Sequence, residues 1–313
     1  MTASTIRRPA AATRLTAVGA IAVAGALLLT GCGDQTDKSA SSGSASAAPL
    51  SDKLPADIKS AGVIKVGSDI AYPPMEYKDS SGKTVGVDVD LANALGKQLG
   101  VTFQFNNGTF DTLITGMRAG RYDVAISSMS DTKNRQNGID ADSGKKVGEG
   151  VDFVDYFTAG VGIIVKKGNP ENISTLADLC GKIVSVQRGS VAHDLLKAQK
   201  CTGGKKITIE AFDTTLEAQT RLKAGGTVAD VDDYPVAAYA AKTTDGGNAF
   251  ESVGDQIEAG PYGIAVGKTD TKLRDAIQAA VTAIIKDGTY ATILKKWGVE
   301  AGSLTEAKIN GGS

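Results

Sequence analysis

The sequence predicts an α/β fold of two lobes joined by two crossing segments. Strand-like and helix-like segments alternate from residue 63 onward, which implies parallel sheets covered on both faces. About 260 residues follow the N-terminal leader, more than one average domain. Two extended, glycine-bearing stretches, residues 158–162 and 259–263, stand where the chain would pass between lobes.

The first 31 residues read as an address rather than as part of the fold. Arg7, Arg8 and Arg14 form a positive start, and residues 15–29 an apolar run without an acid, which is the pattern of a signal peptide. Pro9 follows Arg7-Arg8 where a twin-arginine export motif would continue. The run ends Leu29-Thr30-Gly31-Cys32, which is similar to the bacterial lipobox, so Cys32 is expected to carry lipid and to anchor the exported chain to the outer face of the membrane. Residues 32–54 are mostly Ser, Ala, Gly and Asp and are expected to form a tether, with a reach of roughly 25 Å.

Without the first 31 residues the chain keeps 31 basic residues against 35 acidic ones, a net charge of −4. No basic run remains that could neutralise phosphates, so nucleic acid is not an expected partner. With Cys32 assigned to lipid, Cys180 and Cys201 are left as a pair. A strand, residues 183–187, followed by a helix, residues 191–199, returns both to one end of a unit, and an exported chain keeps such a pair oxidised. His193 is the single histidine, expected at the surface, and neither a zinc cluster nor a Ser-His-Asp triad has support. Asp230, Asp232 and Asp233 lack the loop length and bidentate glutamate of a calcium site. No cofactor or metal is expected.

Within the first lobe, residues 63–67 form a strand opening at Ser68-Asp69. Residues 86–89 read as extended, and Asp90 as the cap of a helix with Leu91, Leu95 and Leu99 on one face and Gly100 at its end. A strand over residues 101–105, a helix over 110–118 and a strand over 122–126 follow. The second lobe repeats the pattern, with strands at residues 207–209 and 229–233, a helix over 216–223, and Pro235 in the first turn of another. A helix from residue 273 through 294 returns to the first lobe.

Several of these stretches resemble one family. Gly67-Ser68-Asp69-Ile70-Ala71-Tyr72-Pro73-Pro74-Met75-Glu76-Tyr77 is similar to the opening of family 3 bacterial solute-binding proteins, the polar amino-acid receptors. Gly86-Val87-Asp88-Val89-Asp90-Leu91, Phe110-Asp111-Thr112-Leu113-Ile114, the run from Ser127 to Gln136, and Asp287-Gly288-Thr289-Tyr290 before Lys296-Trp297-Gly298 resemble it too. The resemblance covers about residues 62–299. It implies a type II periplasmic-binding-protein-like fold, with lobe 1 from residues 55–158 and 260–301, lobe 2 from 159–259, and a tail over 302–313. It also implies a monomer that passes an amino acid to an ABC permease and its ATPase. Residues 223–228 lack the Arg and Asp usual in the family, and the Gly- and Asp-rich stretch 137–150 is longer than this connection usually is, so a surface insertion is expected there.

An amino-acid receptor needs a fixed cation and a fixed anion close together. Arg135 offers a planar fork for the α-carboxylate, with the helix opening at Ser190 and Val191 adding free N–H groups from the other lobe. Asp233 stands where the family places its ammonium ligand, with Ser128 and Ser130 completing that end. Tyr72 and Phe110 are expected to sandwich the ligand's side chain. Asp69 stands where relatives that select basic or amide ligands place an acid, and Ser127, Gln187 and Asp232 are further pocket candidates. Carboxylates without a spare cation favour a cationic or amide side chain: arginine, lysine, histidine or glutamine. The resemblance leaves two other readings open, a cyclohexadienyl dehydratase on the same fold and a sensor for a membrane kinase.

Overall fold

The computed structural model describes residues 48–313, so Cys32, the signal peptide and residues 32–47 of the tether lie outside the described residues. Residues 48–54, expected in the tether, belong to the fold. Leu54 is buried in the first core, and the Leu50 N–H donates to the Gln98 carbonyl at 2.9 Å.

The chain then runs through α1 (Ala56–Ala61), β1 (Val63–Ser68), a small antiparallel meander of β2 (Ala71–Tyr72), β3 (Glu76–Lys78) and β4 (Thr84–Val85), and α2 (Val87–Leu99). Next come β5 (Thr102–Asn107), α3 (Leu113–Arg118), β6 (Val124–Ala125), α4 (Lys133–Asn137) and the long β7 (Val151–Lys166). The other half holds β8 (Ile183–Gln187), α5 (Val191–Ala198), β9 (Thr208–Phe212), α6 (Thr215–Lys223), β10 (Ala229–Asp233) and α7 (Tyr234–Thr243). The chain returns along β11 (Phe250–Gly267) to α8 (Thr271–Lys286) and α9 (Thr289–Trp297).

The main sheet has eight strands in the order β5-β1-β6-β11-β7-β10-β8-β9. β1, β5 and β6 run parallel, as do β8, β9 and β10, while β7 and β11 pair antiparallel through the middle. The expected short crossings are therefore the centres of two strands, 16 and 18 residues long, that extend into both halves. Pairing slips in register between Val253 and Ile257, and again between Ile257 and Gly260, where β11 passes from one half to the other. Separate apolar cores cover the two halves: α2 packs over β5 and against α8, and α8 over β7, while α5 packs over β8 and β10. Buried apolar side chains recur three and four residues apart along α8, at Leu273, Ala276, Ile277, Ala280, Val281 and Ile284.

Local departures from expectation have identifiable causes. Residues 86–89 are not extended: Gly86 is the N-cap of α2, at φ 137°, and its carbonyl accepts from the Asp90 N–H at 3.0 Å. The helix expected over 273–294 breaks at Asp287-Gly288, where Gly288 takes a left-handed φ of 82° and the Asp287 carboxylate accepts from the Thr289 N–H. Of residues 302–313, expected as a tail, Lys308, Ile309 and Asn310 pair with the start of β7, with a bridge between Val154 and Ile309. Cys180 and Cys201 are disulfide-linked, with Cα atoms 5.7 Å apart. The 137–150 stretch forms a short hairpin with an Ile139–Lys146 bridge.

Candidate functional site

The carboxyl ends of β1, β6, β8 and β10 point toward one cleft between the halves, the position at which open α/β sheets bind ligands. Asp69 follows β1, Ser128 follows β6, Gln187 ends β8, and Asp232 and Asp233 end β10.

Several side chains meet across the cleft. The Tyr72 hydroxyl donates to Asp232 Oδ1 at 2.6 Å, and Gln187 Nε2 donates to Asp69 Oδ2 at 2.5 Å. Arg135 Nη1 donates to the Ser130 carbonyl at 2.7 Å, and its Nη2 to the Gly189 carbonyl of the other half at 3.0 Å. Gly189 needs to be glycine: its φ is 74°, and a Cβ would stand 2.9 Å from that of Asp111.

Three carboxyls, Asp69, Asp232 and Asp233, are buried at the ends of β1 and β10, and of these Asp233 faces the Arg135 guanidinium. Burial is the largest cause pushing each of them up, Asp69 and Asp232 to about 7 and Asp233 to about 6. The Gln187 hydrogen bond holds Asp69 back, whereas the Asp233 charge raises Asp232 further. Asp232 also accepts from Thr215 Oγ1 at 2.5 Å and from the Asp233 N–H at 2.8 Å, so neutral donors satisfy it. Asp233 starts α7, but its side chain does not cap that helix, and the Arg135 charge draws its pKa down.

The remaining predicted residues take distinct places. Phe110 lies beneath the Arg135 guanidinium, 5.3 Å from ring centroid to Cζ, so that face is covered by Arg135. Tyr72 is buried, its hydroxyl committed to Asp232. Ser127 Oγ donates to Glu76 Oε1 at 2.6 Å and accepts from the Asp69 N–H at 3.0 Å, which fixes the Asp69 backbone. Ser190 Oγ caps α5, accepting from the His193 N–H at 3.1 Å, so beside Val191 only backbone N–H groups remain to face an anion. His193 is half-buried rather than at the surface, and its Nδ1 accepts from the Gly189 N–H at 3.3 Å.

Four residues that sequence reasoning left unassigned support the site. Ser128 holds a left-handed φ of 46°, unusual for a residue other than glycine and costing about 1–3 kcal/mol. Its N–H is held at 2.9 Å by Asp88 Oδ2, and Asp88 in turn accepts from the Tyr156 hydroxyl at 2.8 Å. Glu76 faces Asp88, and burial followed by the Asp88 charge pushes its carboxyl well above the usual range. The Tyr262 hydroxyl is buried near Asp233 and forms no hydrogen bond among the described residues. Asp88 and Glu76 both lie inside the quoted motifs, which was the available signal; Tyr156 and Tyr262 carried none.

The cleft opens into a cavity of about 720 Å³ between the hairpin and α5, lined by Phe110, Arg135, Ile139, Val147, Gly189 and Leu195. Lys197 of α5 spans its mouth, pairing with Asp142 of the hairpin and, at 3.0 Å, with Asp194.

The family model for bacterial extracellular solute-binding proteins, family 3, matches residues 64–300. The chain belongs to that family. Its fold is the two-lobed type II periplasmic-binding-protein fold. It is 32% identical to an arginine-binding protein of Corynebacterium glutamicum over 262 residues, 82% of this chain and 81% of that protein. An ancestral arginine-binding protein solved with arginine bound is 38% identical, with a TM-score of 0.67, and covers 75% of this chain and 98% of its own. A solved ancestral amino-acid-binding protein, described as a precursor of cyclohexadienyl dehydratase, is 33% identical with a TM-score of 0.67, covering 77% and 97%. Family membership gives the chain a solute-binding role outside the cytoplasm.

Proposed function

We propose that this chain captures a polar amino acid with a cationic side chain, of the arginine type, and delivers it to an ABC permease and its ATPase. One observation carries the reading: among the described residues, three buried carboxyls end the strands that meet at the interlobe cleft, and only Asp233 of the three faces the Arg135 guanidinium. An α-carboxylate meets Arg135 and the N–H groups that open α5. An α-ammonium meets Asp233 with Ser128 and Ser130. That leaves Asp69, whose side chain accepts only from the Gln187 amide among the described residues, without a cation of the protein's own, and a ligand cation supplies it, with Asp232 behind it held by neutral donors. Buried charges are tolerated when paired, so the arrangement disfavours neutral and acidic ligands. The names of the relatives support the same class.

Calorimetric titration against the twenty amino acids and ornithine tests this. Arginine, lysine or ornithine should bind at least about tenfold tighter than any neutral or acidic amino acid, a difference of about 1.4 kcal/mol. Preference for a neutral ligand, or turnover of the ligand, refutes it.

The chain works, in this reading, as a monomer tethered through lipid on Cys32. Fatty-acid labelling should mark the wild type and miss Cys32→Ser; equal labelling of both refutes the anchor.

A further inference from the structure

Residues 307–313 lie beyond the stretch matched by the family model, yet they are built into the half of the molecule that carries Arg135. The segment pairs with the start of β7: the Asp155 N–H donates to the Lys308 carbonyl at 2.9 Å, and the Asn310 N–H to the Phe153 carbonyl at 3.1 Å. Asn310 adds two side-chain bonds, from the Phe153 N–H at 2.8 Å and to Asp152 Oδ1 at 2.9 Å.

Its last turn meets two acids. The Gly311 N–H donates to Asp155 Oδ2 at 3.1 Å, and the next N–H, of Gly312, donates to Asp131 Oδ2 at 2.8 Å. These carboxyls are buried and face one another, and Asp155 Oδ1 has no donor among the described residues. Burial, followed by the Asp131 charge, pushes Asp155 up to about 7. Two such groups repel unless donors hold them, and consecutive glycine amides supply those donors. Gly312 is buried, and a Cβ there would run into the Asp131 carbonyl.

Asp131 passes this restraint to the site. Its Oδ1 accepts from Gln136 Nε2 at 2.6 Å, its N–H donates to the Pro261 carbonyl at 2.8 Å, and the Lys133 N–H reaches the Ser313 carbonyl at 3.3 Å. Gln136 and Arg135 are neighbours on α4, a helix of five residues. A helix this short does not hold its own conformation and depends on tertiary contacts.

We propose that residues 307–313 form a strap that positions Arg135, with Gly311 and Gly312 clamping the Asp131–Asp155 pair and so fixing the turn and helix that present the guanidinium. Gly311, Gly312, Asp131 and Gln136 are positioning residues. The expected consequence for ligand affinity rests on the binding reading above; the geometry does not.

Two variants test the strap: deletion of residues 308–313, and Gly312→Val in the full chain. Both should accelerate hydrogen exchange across residues 131–137 and raise the Kd for arginine about tenfold, through lost preorganisation. The factor should be the same for lysine, because both ligands present the same α-carboxylate. Asp155→Asn added to the deletion, where no side chain clashes with Asp131, removes the repulsion and should recover most of the affinity. Wild-type exchange over 131–137 in both variants overturns the strap, as does a lowered Tm with an unchanged Kd. If the wild type binds no amino acid, the binding reading fails while the exchange data still decide the strap.

Discussion

Tyr72 and Asp232 lie 160 residues apart in sequence and are joined by a 2.6 Å hydrogen bond between the lobes. Thr215 donates to the other oxygen of the same carboxylate, but from within its own lobe. The two bonds therefore have different consequences, since only the Tyr72 bond is broken when the lobes part.

Tyr72→Phe should weaken arginine binding about tenfold, the cost of losing one hydrogen bond to a charged group. Thr215→Val should leave the balance between open and closed forms nearer that of wild type. Small-angle scattering of ligand-free protein reports this directly, with a larger radius of gyration expected for Tyr72→Phe alone. Equal radii and equal affinities for Tyr72→Phe and wild type would show that closure does not use this bond.

Affinity should depend on pH. Burial raises Asp69 and Asp232 to about 7 and Asp233 to about 6. A bound cation favours the ionised forms, so binding releases protons and tightens as pH rises from about 5.5 to 8. Stability of the ligand-free protein runs the other way. The folded state holds these protons at pH values where the unfolded chain, with ordinary carboxylates near 3.8, has lost them. Their contribution is therefore fully present below the unfolded pKa and is lost as pH rises through 6 to 7. Calorimetry in buffers of different ionisation enthalpy measures the released protons, and Tm across pH 4.5–8 measures the second effect. Pure proton uptake on binding would contradict the assignment.

Arg135→Ala should cost all ligands alike, whereas Asp69→Asn should change which ligand is preferred. Truncating one partner of a buried charge pair costs about 2–5 kcal/mol, roughly 30-fold to a few thousandfold in Kd. Titrating both variants with arginine and glutamine separates the roles. Wild-type binding by Arg135→Ala would displace the carboxylate site from this residue, and an equal loss for both ligands in Asp69→Asn would place Asp69 outside the side-chain pocket.

Much of this was legible because the chemistry sits where the chain pattern changes. The residues that end β1, β8 and β10 could be read as a cleft before any coordinates, since strand ends and helix starts are visible in periodicity and glycine placement. The pairings across the cleft were not. Gln187 and Asp69 are 118 residues apart, and nothing local specifies which polar groups meet when the lobes close. The left-handed Ser128 escaped for the same reason, since a buried carboxylate 40 residues away holds it. The Gly-rich segment 307–313 offered little apolar surface and so resembled a loose tail; its order comes from backbone amides, which composition does not reveal.

The hairpin over 137–150 has a consequence that can be measured. Asp140 folds its tip, accepting from the Ser143 N–H at 2.8 Å, and its carbonyl accepts from the Gly144 N–H at 2.9 Å. This presents Asp142 to Lys197 of α5, so the ion pair links the lobes at the mouth of the cleft. The Asp142 side chain is 63% exposed, which limits the pair to about 0.2–1 kcal/mol. Because the pair exists only when the lobes are closed, it should slow ligand release rather than alter selectivity. Lys197→Glu should raise the dissociation rate of arginine about 1.5- to 5-fold at low salt, with the difference shrinking toward none at 0.5 M, where the screening length is only a few ångströms. Pairing it with Asp142→Lys should restore the wild-type rate. Stopped-flow release into excess competitor measures all three proteins at both salt concentrations. A rate for Lys197→Glu equal to wild type at low salt, or an increase that persists unchanged at high salt, would show that the hairpin does not act through this charge pair.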